Sequence, residues 1–333
     1  MNRMIISLLA FLCCFSSNAL SINSSREKEV TRVMSYNVRN CRGLDDQTDY
    51  KRIAKIISQA DPDVISLQEL DSVTTRNNGV FALGELAKQT RMHLVYAPAI
   101  DYQGGKYGIG VLSKEKPLHT RTYSLPGREE RRALLVVEFE KYVFCATHFS
   151  LTDEDQMASI PILLNALKGV TKPVFLAGDM NSEYFSTTQR ALREHFQMLN
   201  DPAKNTFPAN APDCCIDYIY ALKSNLHSFS VVRNEVPEEK VASDHRPLFT
   251  DVRITSKSLN EQKETARIRL TMNTDWAFYR GDIANGQQVK LDDSKWIPVV
   301  LPHVMQLEKK HSGGNGIYDG IGWYRRYFKL PES

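Results

Sequence analysis

Val174-Phe175-Leu176-Ala177-Gly178-Asp179-Met180-Asn181 begins as a run of four apolar residues and ends on a glycine, a carboxylate and an amide. Such a run fits a buried strand, and polar groups at the end of a buried strand are where sheet proteins commonly hold their sites. The same arrangement recurs on both sides. Val33-Met34-Ser35-Tyr36-Asn37, Val64-Ile65-Ser66-Leu67-Gln68-Glu69 and Val143-Phe144-Cys145-Ala146-Thr147-His148 each pass from apolar residues into an amide, a carboxylate or an imidazole. Downstream, Asp217 opens Asp217-Tyr218-Ile219, and Ser243-Asp244-His245-Arg246-Pro247 precedes the last apolar run. Each has a bland reading when taken singly. Glu69 reads as a solvated charge after a strand, residues 178–181 as a turn bonding its own backbone, His148 as a satisfied rim histidine, and Asp244 as a loop cap. Together, each beside its own strand, they point to one shared site.

Between these runs lie amphipathic segments. Ile53, Ile56, Ile57 and Ala60 have helical spacing and are stopped by Asp61-Pro62, and further helices are predicted over 81–90 and 155–167. Other strands are predicted near 94–97, 109–113, 217–222, 229–232 and 248–254. Residues 133–139 and 142–148, separated by Glu140-Lys141, form a predicted hairpin. Strands mixed with helices, with a hairpin among them, indicate an α/β sandwich rather than a purely parallel sheet.

The whole chain has 333 residues, long enough for two domains, or for one large core with an appendage. Apolar residues make up 42% and charged residues 24%, which excludes a disordered, collagenous or multi-span membrane protein. A formal net charge of +3 is too small to indicate a nucleic-acid or anionic-lipid surface. Residues 1–19 read as a signal peptide, with Arg3, an apolar run over 4–15 and small residues ending at Ala19. That run is shorter than the roughly 20 apolar residues that span a bilayer, so export to the periplasm or outside the cell is expected. Lipid attachment at Cys13 or Cys14 is disfavoured by the bulky Phe11 and Leu12 ahead of them. Cys41, Cys145, Cys214 and Cys215 are then too few for a disulfide scaffold and lack zinc-ligand spacing. The polar stretch 255–265 reads as a linker.

As a set, Asn37, Gln68-Glu69, Tyr107-Gly108-Ile109-Gly110-Val111-Leu112-Ser113, Thr147-His148, Gly178-Asp179-Met180-Asn181, Asp217 and Ser243-Asp244-His245 resemble the endonuclease/exonuclease/phosphatase superfamily. Pancreatic-type deoxyribonucleases, abasic-site endonucleases, neutral sphingomyelinases and inositol polyphosphate 5-phosphatases share that fold. The resemblance covers residues 28–254 and implies a four-layer α-β-β-α sandwich of two mixed sheets with the site at one end. The implied activity is metal-dependent phosphoric ester hydrolysis. A phosphodiester is anionic and repels hydroxide, so its hydrolysis calls for a cation on the phosphoryl oxygens, a positioned water and a means of handling leaving-group charge. By resemblance Glu69, Asn37 and Asp244 are the metal ligands, a hard oxygen set suited to Mg²⁺, with Mn²⁺ or Ca²⁺ as alternatives. Asp179 and Asn181 orient the attacking water and the phosphate, with Asp179 a candidate base. His148 and His245 donate to the phosphoryl oxygens or transfer protons, and Asp217 holds His245. Tyr107 and Arg132 match substrate-facing positions. For Arg132 a solvated salt-bridge patch with Glu129, Glu130 and Arg131 is an equal reading.

All three tryptophans, Trp276, Trp296 and Trp323, fall in residues 266–333. There Thr274-Asp275-Trp276, Trp296-Ile297-Pro298-Val299-Val300-Leu301-Pro302-His303 and Gly322-Trp323-Tyr324-Arg325 resemble the opening of the N-terminal jelly-roll domain of family 2 glycoside hydrolases, the β-galactosidase and β-glucuronidase group. The catalytic carboxylates of those enzymes belong to a separate barrel, so glycosidase activity is not expected. A partial all-β, jelly-roll-like segment is expected instead. Either it is a fusion remnant that packs weakly, with strand edges unpaired, or its aromatics contact a glycan.

The expected function is therefore an exported, divalent-metal-dependent phosphoesterase acting on a small or glycan-linked phosphoester by activated water. A secreted nuclease or sphingomyelinase-like phosphodiesterase is one alternative, and an inactive sandwich that binds carbohydrate is another. No basic run interleaved with aromatics marks a nucleic-acid surface, and no long apolar loop marks a membrane surface.

Overall fold

The computed structural model describes residues 30–256, 272–301 and 320–328. The segment 1–19 read as a signal peptide, most of the 255–265 stretch read as a linker and residues 302–303 of the Leu-Pro-His turn lie outside the described residues. In chain order the first 227 described residues form β1 (Val30–Asn37), α1 (Tyr50–Ala60), β2 (Val64–Ser72), α2 (Ala82–Thr90), β3 (His93–Tyr102), β4 (Gly105–Ser113), β5 (His119–Leu125), β6 (Arg132–Glu138), β7 (Val143–His148), α3 (Asp153–Ala166), β8 (Val174–Asp179), α4 (Thr187–His195), β9 (Phe196–Met198), β10 (Asp217–Leu222), β11 (His227–Glu235) and β12 (Leu248–Ser256). Two six-stranded sheets result, ordered β11-β12-β1-β2-β4-β3 and β5-β6-β7-β8-β10-β9. Each has one parallel pair, β1 with β2 and β7 with β8, among antiparallel neighbours.

Adjacent residues of a strand point to opposite faces of its sheet. Val33 and Phe175 accordingly enter the core between the two sheets, beside Val111, Leu135, Phe144 and Ile219. Their neighbours turn outward. Met34 meets Ile53, Ile57, Leu83 and Leu86 of α1 and α2, and Leu176 meets Ile160 and Leu163 of α3 and Leu192 of α4. The layers are thus helix, sheet, sheet, helix. Strands covered on both faces explain why the decisive runs are continuously apolar rather than alternating.

Asp49 caps α1 by accepting a hydrogen bond from the Arg52 N–H at 3.0 Å, and the helix ends on Asp61 in the left-handed conformation, φ 51°. Asp49→Ala removes the acceptor for a helix-end N–H and is expected to cost about 1 kcal/mol, read as a lower urea midpoint at unchanged slope. An unchanged midpoint would show that water replaces the cap.

Three elements were not predicted. β5 is an edge strand whose residues are mostly exposed, and α4 buries Leu192 as its one large aliphatic residue, so neither carries a strong apolar period. β9 has only three residues. β12 also runs two residues into the stretch read as linker, because Thr255 and Ser256 pair with Ser228 and His227.

The C-terminal segment forms a small antiparallel sheet of β13 (Trp276–Arg280), β14 (Ile297–Val299) and β15 (Gly322–Arg325), ordered β14-β13-β15. It is docked on the sandwich rather than loosely packed. The Tyr184 hydroxyl donates to Asp275 Oδ1 at 2.9 Å, Arg193 Nε lies 3.5 Å from the same oxygen, and Arg190 donates to the buried Asp293 at 2.8 Å. Trp296 is buried near the Tyr279 ring, and the Arg325 guanidinium lies 5.5 Å from the Trp296 ring.

Candidate active site

The ends of β1, β2, β7 and β8 and the start of β10 converge at one edge of the sandwich. Parallel register places His148 beside Asp179, and antiparallel register places Asp217 on the other side of Asp179. Gly178 permits this close pairing, since a Cβ there would sit 2.1 Å from the Thr147 carbonyl oxygen. In β2 one extra residue is inserted between Leu67 and Leu70, and Glu69 takes φ 60°. A bulge of this kind re-aims a side chain, and here it turns Glu69 toward Asn37. The Asn37 amide nitrogen donates to Glu69 Oε1 and to Asp179 Oδ2, each at 3.0 Å.

Asp179 is the centre of the cluster. Oδ1 accepts the Asn181 backbone N–H at 2.9 Å, while Oδ2 lies 3.5 Å from His148 Nε2 and 3.6 Å from His245 Nε2. Those two separations exceed good hydrogen bonds. Burial, reinforced by the Asp217 charge, pushes the Asp179 carboxyl up to about 7, against the opposing effects of His245, Asn37 and the Asn181 N–H. His245 Nδ1–H donates to Asp217 Oδ2 at 2.9 Å, and its ring packs 4.8 Å from that of Phe207. Burial alone would lower the imidazole, but Asp217 and Asp179 outweigh it and raise it to about 10. His148 shifts the other way. Burial, then the Arg132 and His245 charges, hold it well below the ordinary histidine range, so it is neutral.

Arg132 is buried, with its guanidinium 3.0 Å from His148 Nδ1, and it is held by Glu129 at 3.1 Å and Glu130 at 3.3 Å. Of the two adjacent arginines only Arg131 is exposed, so Arg132 faces the site rather than a solvated patch. Burial, with Glu69 and Glu130 nearby, raises the Tyr107 hydroxyl far out of the titrating range and keeps it a donor. Asn181 stands one step back, its side-chain nitrogen donating to the Phe149 carbonyl at 2.9 Å. Asp244 is half-buried, with Arg39 Nε 3.7 Å from one oxygen and Ser243 Oγ 3.3 Å from the other.

Ligand atoms of Asp179, Asp217 and His245 lie within 4.8 Å of one another, a spacing that a metal ion can bridge. Asp217 Oδ1 is a buried acceptor with no hydrogen-bond partner among the described residues, an atom that water or a cation would satisfy. At the Glu69 corner, the Asn37 oxygen accepts the Arg39 N–H at 3.1 Å and Glu69 Oε1 accepts the Asn37 amide at 3.0 Å, so Glu69 Oε2 is the hard donor offered there. Carboxylate oxygens dominate both places, a donor set that fits a divalent cation.

Thr206 is absent from the sequence-based expectations, and Glu129 and Ser243 carry no supporting role in them. Glu129 anchors Arg132, and it accepts the Ser150 hydroxyl and the Leu151 N–H, both at 2.9 Å. Thr206 Oγ1 accepts the Asp217 N–H at 3.4 Å, and the Ser243 hydroxyl donates to the Asn37 carbonyl at 2.7 Å. None ends an apolar run, so no local pattern marks them.

This arrangement of strand ends defines a superfamily. Residues 34–245 match the model of the Endonuclease/Exonuclease/phosphatase family, and the chain belongs to that family. An endonuclease/exonuclease/phosphatase of Beutenbergia cavernae has the same fold, with TM-score 0.57 and 24% identity over 68% of this chain and 72% of that one. So has a mannosyl-6-phosphatase of Bacteroides thetaiotaomicron, with TM-score 0.52 and 17% identity over 67% of this chain and 99% of that one. The C-terminal part matches a β-galactosidase of Bacteroides ovatus at 32% identity over 74 residues, 20% of this chain and 9% of that protein. The chain therefore spans less than a tenth of the length of the curated relatives it matches.

Proposed function

We propose that this protein is an exported, divalent-metal-dependent phosphoesterase that hydrolyses a small or glycan-linked phosphoester with an activated water. The observation that carries the reading is the buried Asp179 carboxylate, whose Oδ2 stands 3.0 to 3.6 Å from Asn37, His148 and His245. A carboxylate oxygen held among such groups is placed for general-base work. Asp179 takes a proton from the water, the water oxygen forms the new bond to phosphorus, and the bond from phosphorus to the leaving oxygen breaks. The protonated His245 gives its Nε2 proton to that oxygen, and Asp217 holds the ring for the transfer. Arg132 and Tyr107 donate to the phosphoryl oxygens, where charge develops. Glu69 would hold a divalent cation, Mg²⁺ by its hard carboxylate oxygens, with Asn37 and Asp244 as the further candidate ligands. When bound, the cation supplies positive charge to the phosphoryl oxygens.

Export rests on the 1–19 segment and is read by detecting processed protein outside the cytoplasm. The fold shared with a mannosyl-6-phosphatase supports a phosphorylated sugar as the first substrate to try. Hydrolysis of bis-nitrophenyl phosphate is expected to stop in excess chelator and return with Mg²⁺. Full activity in chelator would refute metal dependence. On a panel of mannose 6-phosphate, inositol phosphates, sphingomyelin, RNA and DNA, the fastest turnover is expected on the sugar phosphate. Rapid DNA cleavage would favour the nuclease reading.

A further inference from the structure

Asp71 stands two residues beyond Glu69 in β2 and is fully buried. A buried carboxylate is costly unless a cation and hydrogen bonds meet it, and both of its oxygens accept from Arg76, Oδ2 from Nε at 2.7 Å and Oδ1 from Nη2 at 2.8 Å. Arg76 lies in the short turn Thr75–Asn77 after β2, and Gln103 holds that turn. The Thr75 N–H donates to the Gln103 carbonyl at 2.9 Å, and the Arg76 N–H donates to the Gln103 side-chain oxygen at 3.1 Å. The plane of the guanidinium is therefore fixed, and two aromatic rings lie against it. Its central carbon is 4.5 Å from the centroid of the Tyr102 ring and 5.3 Å from that of Tyr107, and the two rings stand 6.0 Å apart.

Strand register explains why these side chains meet. Asp71 pairs with Tyr107 across β2 and β4, and Tyr102 pairs with Gly105 across β3 and β4, so Asp71, Tyr107 and Tyr102 share one face of the sheet. Gly105 lets the strands lie this close, since a Cβ there would sit 2.2 Å from the Ser72 carbonyl oxygen. The hydroxyl of the half-buried Tyr107 lies within reach of the charges of Glu69, Glu130, Arg76 and Arg132, which puts it at the catalytic rim. A hydroxyl that is to meet a phosphoryl oxygen must keep its own O–H free, so its ring has to be oriented by packing. We propose that Arg76 is a positioning residue for the reaction: anchored by Asp71, it holds the Tyr107 ring in the orientation that lets the hydroxyl donate to a phosphoryl oxygen. The flat guanidinium sets the tilt of the ring, a task that a lysine ammonium cannot take over. The proposal rests on the phosphoesterase reading above, in which Tyr107 is a donor.

The test uses the full chain with Mg²⁺ and bis-nitrophenyl phosphate. Arg76→Ala would strand the buried Asp71 carboxylate, so Arg76→Lys is the chief variant: it keeps a cation for Asp71 and loses the planar fork. It is expected to lower kcat about tenfold with KM within about twofold of wild type, the mark of a contact made in the transition state. In the Tyr107→Phe background, which lacks the hydroxyl, the same change is expected to lower kcat less than about twofold. The paired Asp71→Leu/Arg76→Met protein removes the cation and the buried charge together, and the same two comparisons are expected to hold in it. An unchanged kcat in Arg76→Lys overturns the proposal, and so does an equal loss in both backgrounds. Carbon-13 NMR of ring-labelled tyrosine separates this from failure of the catalytic reading. If wild type hydrolyses no phosphoester, that reading fails. The positioning role then stands on the tyrosine resonance that is absent from Tyr107→Phe, which shifts or broadens in Arg76→Lys, and it is overturned if that resonance is unmoved.

Discussion

Asp179→Asn lowers turnover of bis-nitrophenyl phosphate at least about 10²-fold, the loss expected of a general base and equal to about 2.7 kcal/mol of transition-state stabilisation. The substitution keeps shape and volume, and the amide oxygen can still accept the Asn181 N–H that Asp179 Oδ1 accepts at 2.9 Å. What is lost is the capacity to take a proton at the other oxygen, the one that faces His148, His245 and the Asn37 amide. An amide placed there also sets its own N–H groups against the Asn37 N–H. Folding should suffer little, because the substitution removes a buried charge that Asp217 and burial already disfavour. The expected pattern is therefore a collapse of kcat with a thermal midpoint close to that of wild type. Near-native turnover would sink the assignment of Asp179 as base, and a large drop in thermal midpoint would show that the loss of activity is structural.

The fold was legible because every decisive strand is buried on both faces. Val33 to Asn37 and Val174 to Asp179 read as continuous apolar runs for that reason, and their polar ends mark one edge of the sandwich. Pairing of β7, β8 and β10 then brings His148, Asp179 and Asp217 side by side. The aim of Glu69 was not legible, since it depends on one inserted residue in β2 whose signal exists only in the ladder with β4. Arg132 was ambiguous for a related reason. Arg131 and Arg132 look alike in sequence, and only the start of β6 decides which of them is buried. Resemblance to a glycoside hydrolase segment pointed to the C-terminal aromatics. It gave no sign that Arg190 and Tyr184 would hold the segment against the catalytic half.

Asp217 and His245 should act as one unit, and a double-mutant cycle reads this directly. Asp217 Oδ2 lies 2.9 Å from His245 Nδ1, and the ring is otherwise confined by Phe207. Without Asp217 the imidazole loses the partner that orients it, together with the largest of the influences that raise its proton affinity against burial. Asp217→Ala is thus expected to lower kcat about 10²-fold with little change in KM, and His245→Ala at least as much. If Asp217 works through His245, removing it from the His245→Ala protein costs little more. The double variant should fall within about tenfold of His245→Ala, far from the roughly 10⁴-fold loss that independent roles would give. A multiplicative loss would show that Asp217 meets the substrate or a cation by itself. In that case its unpartnered Oδ1, rather than its bond to the histidine, would be the functional atom.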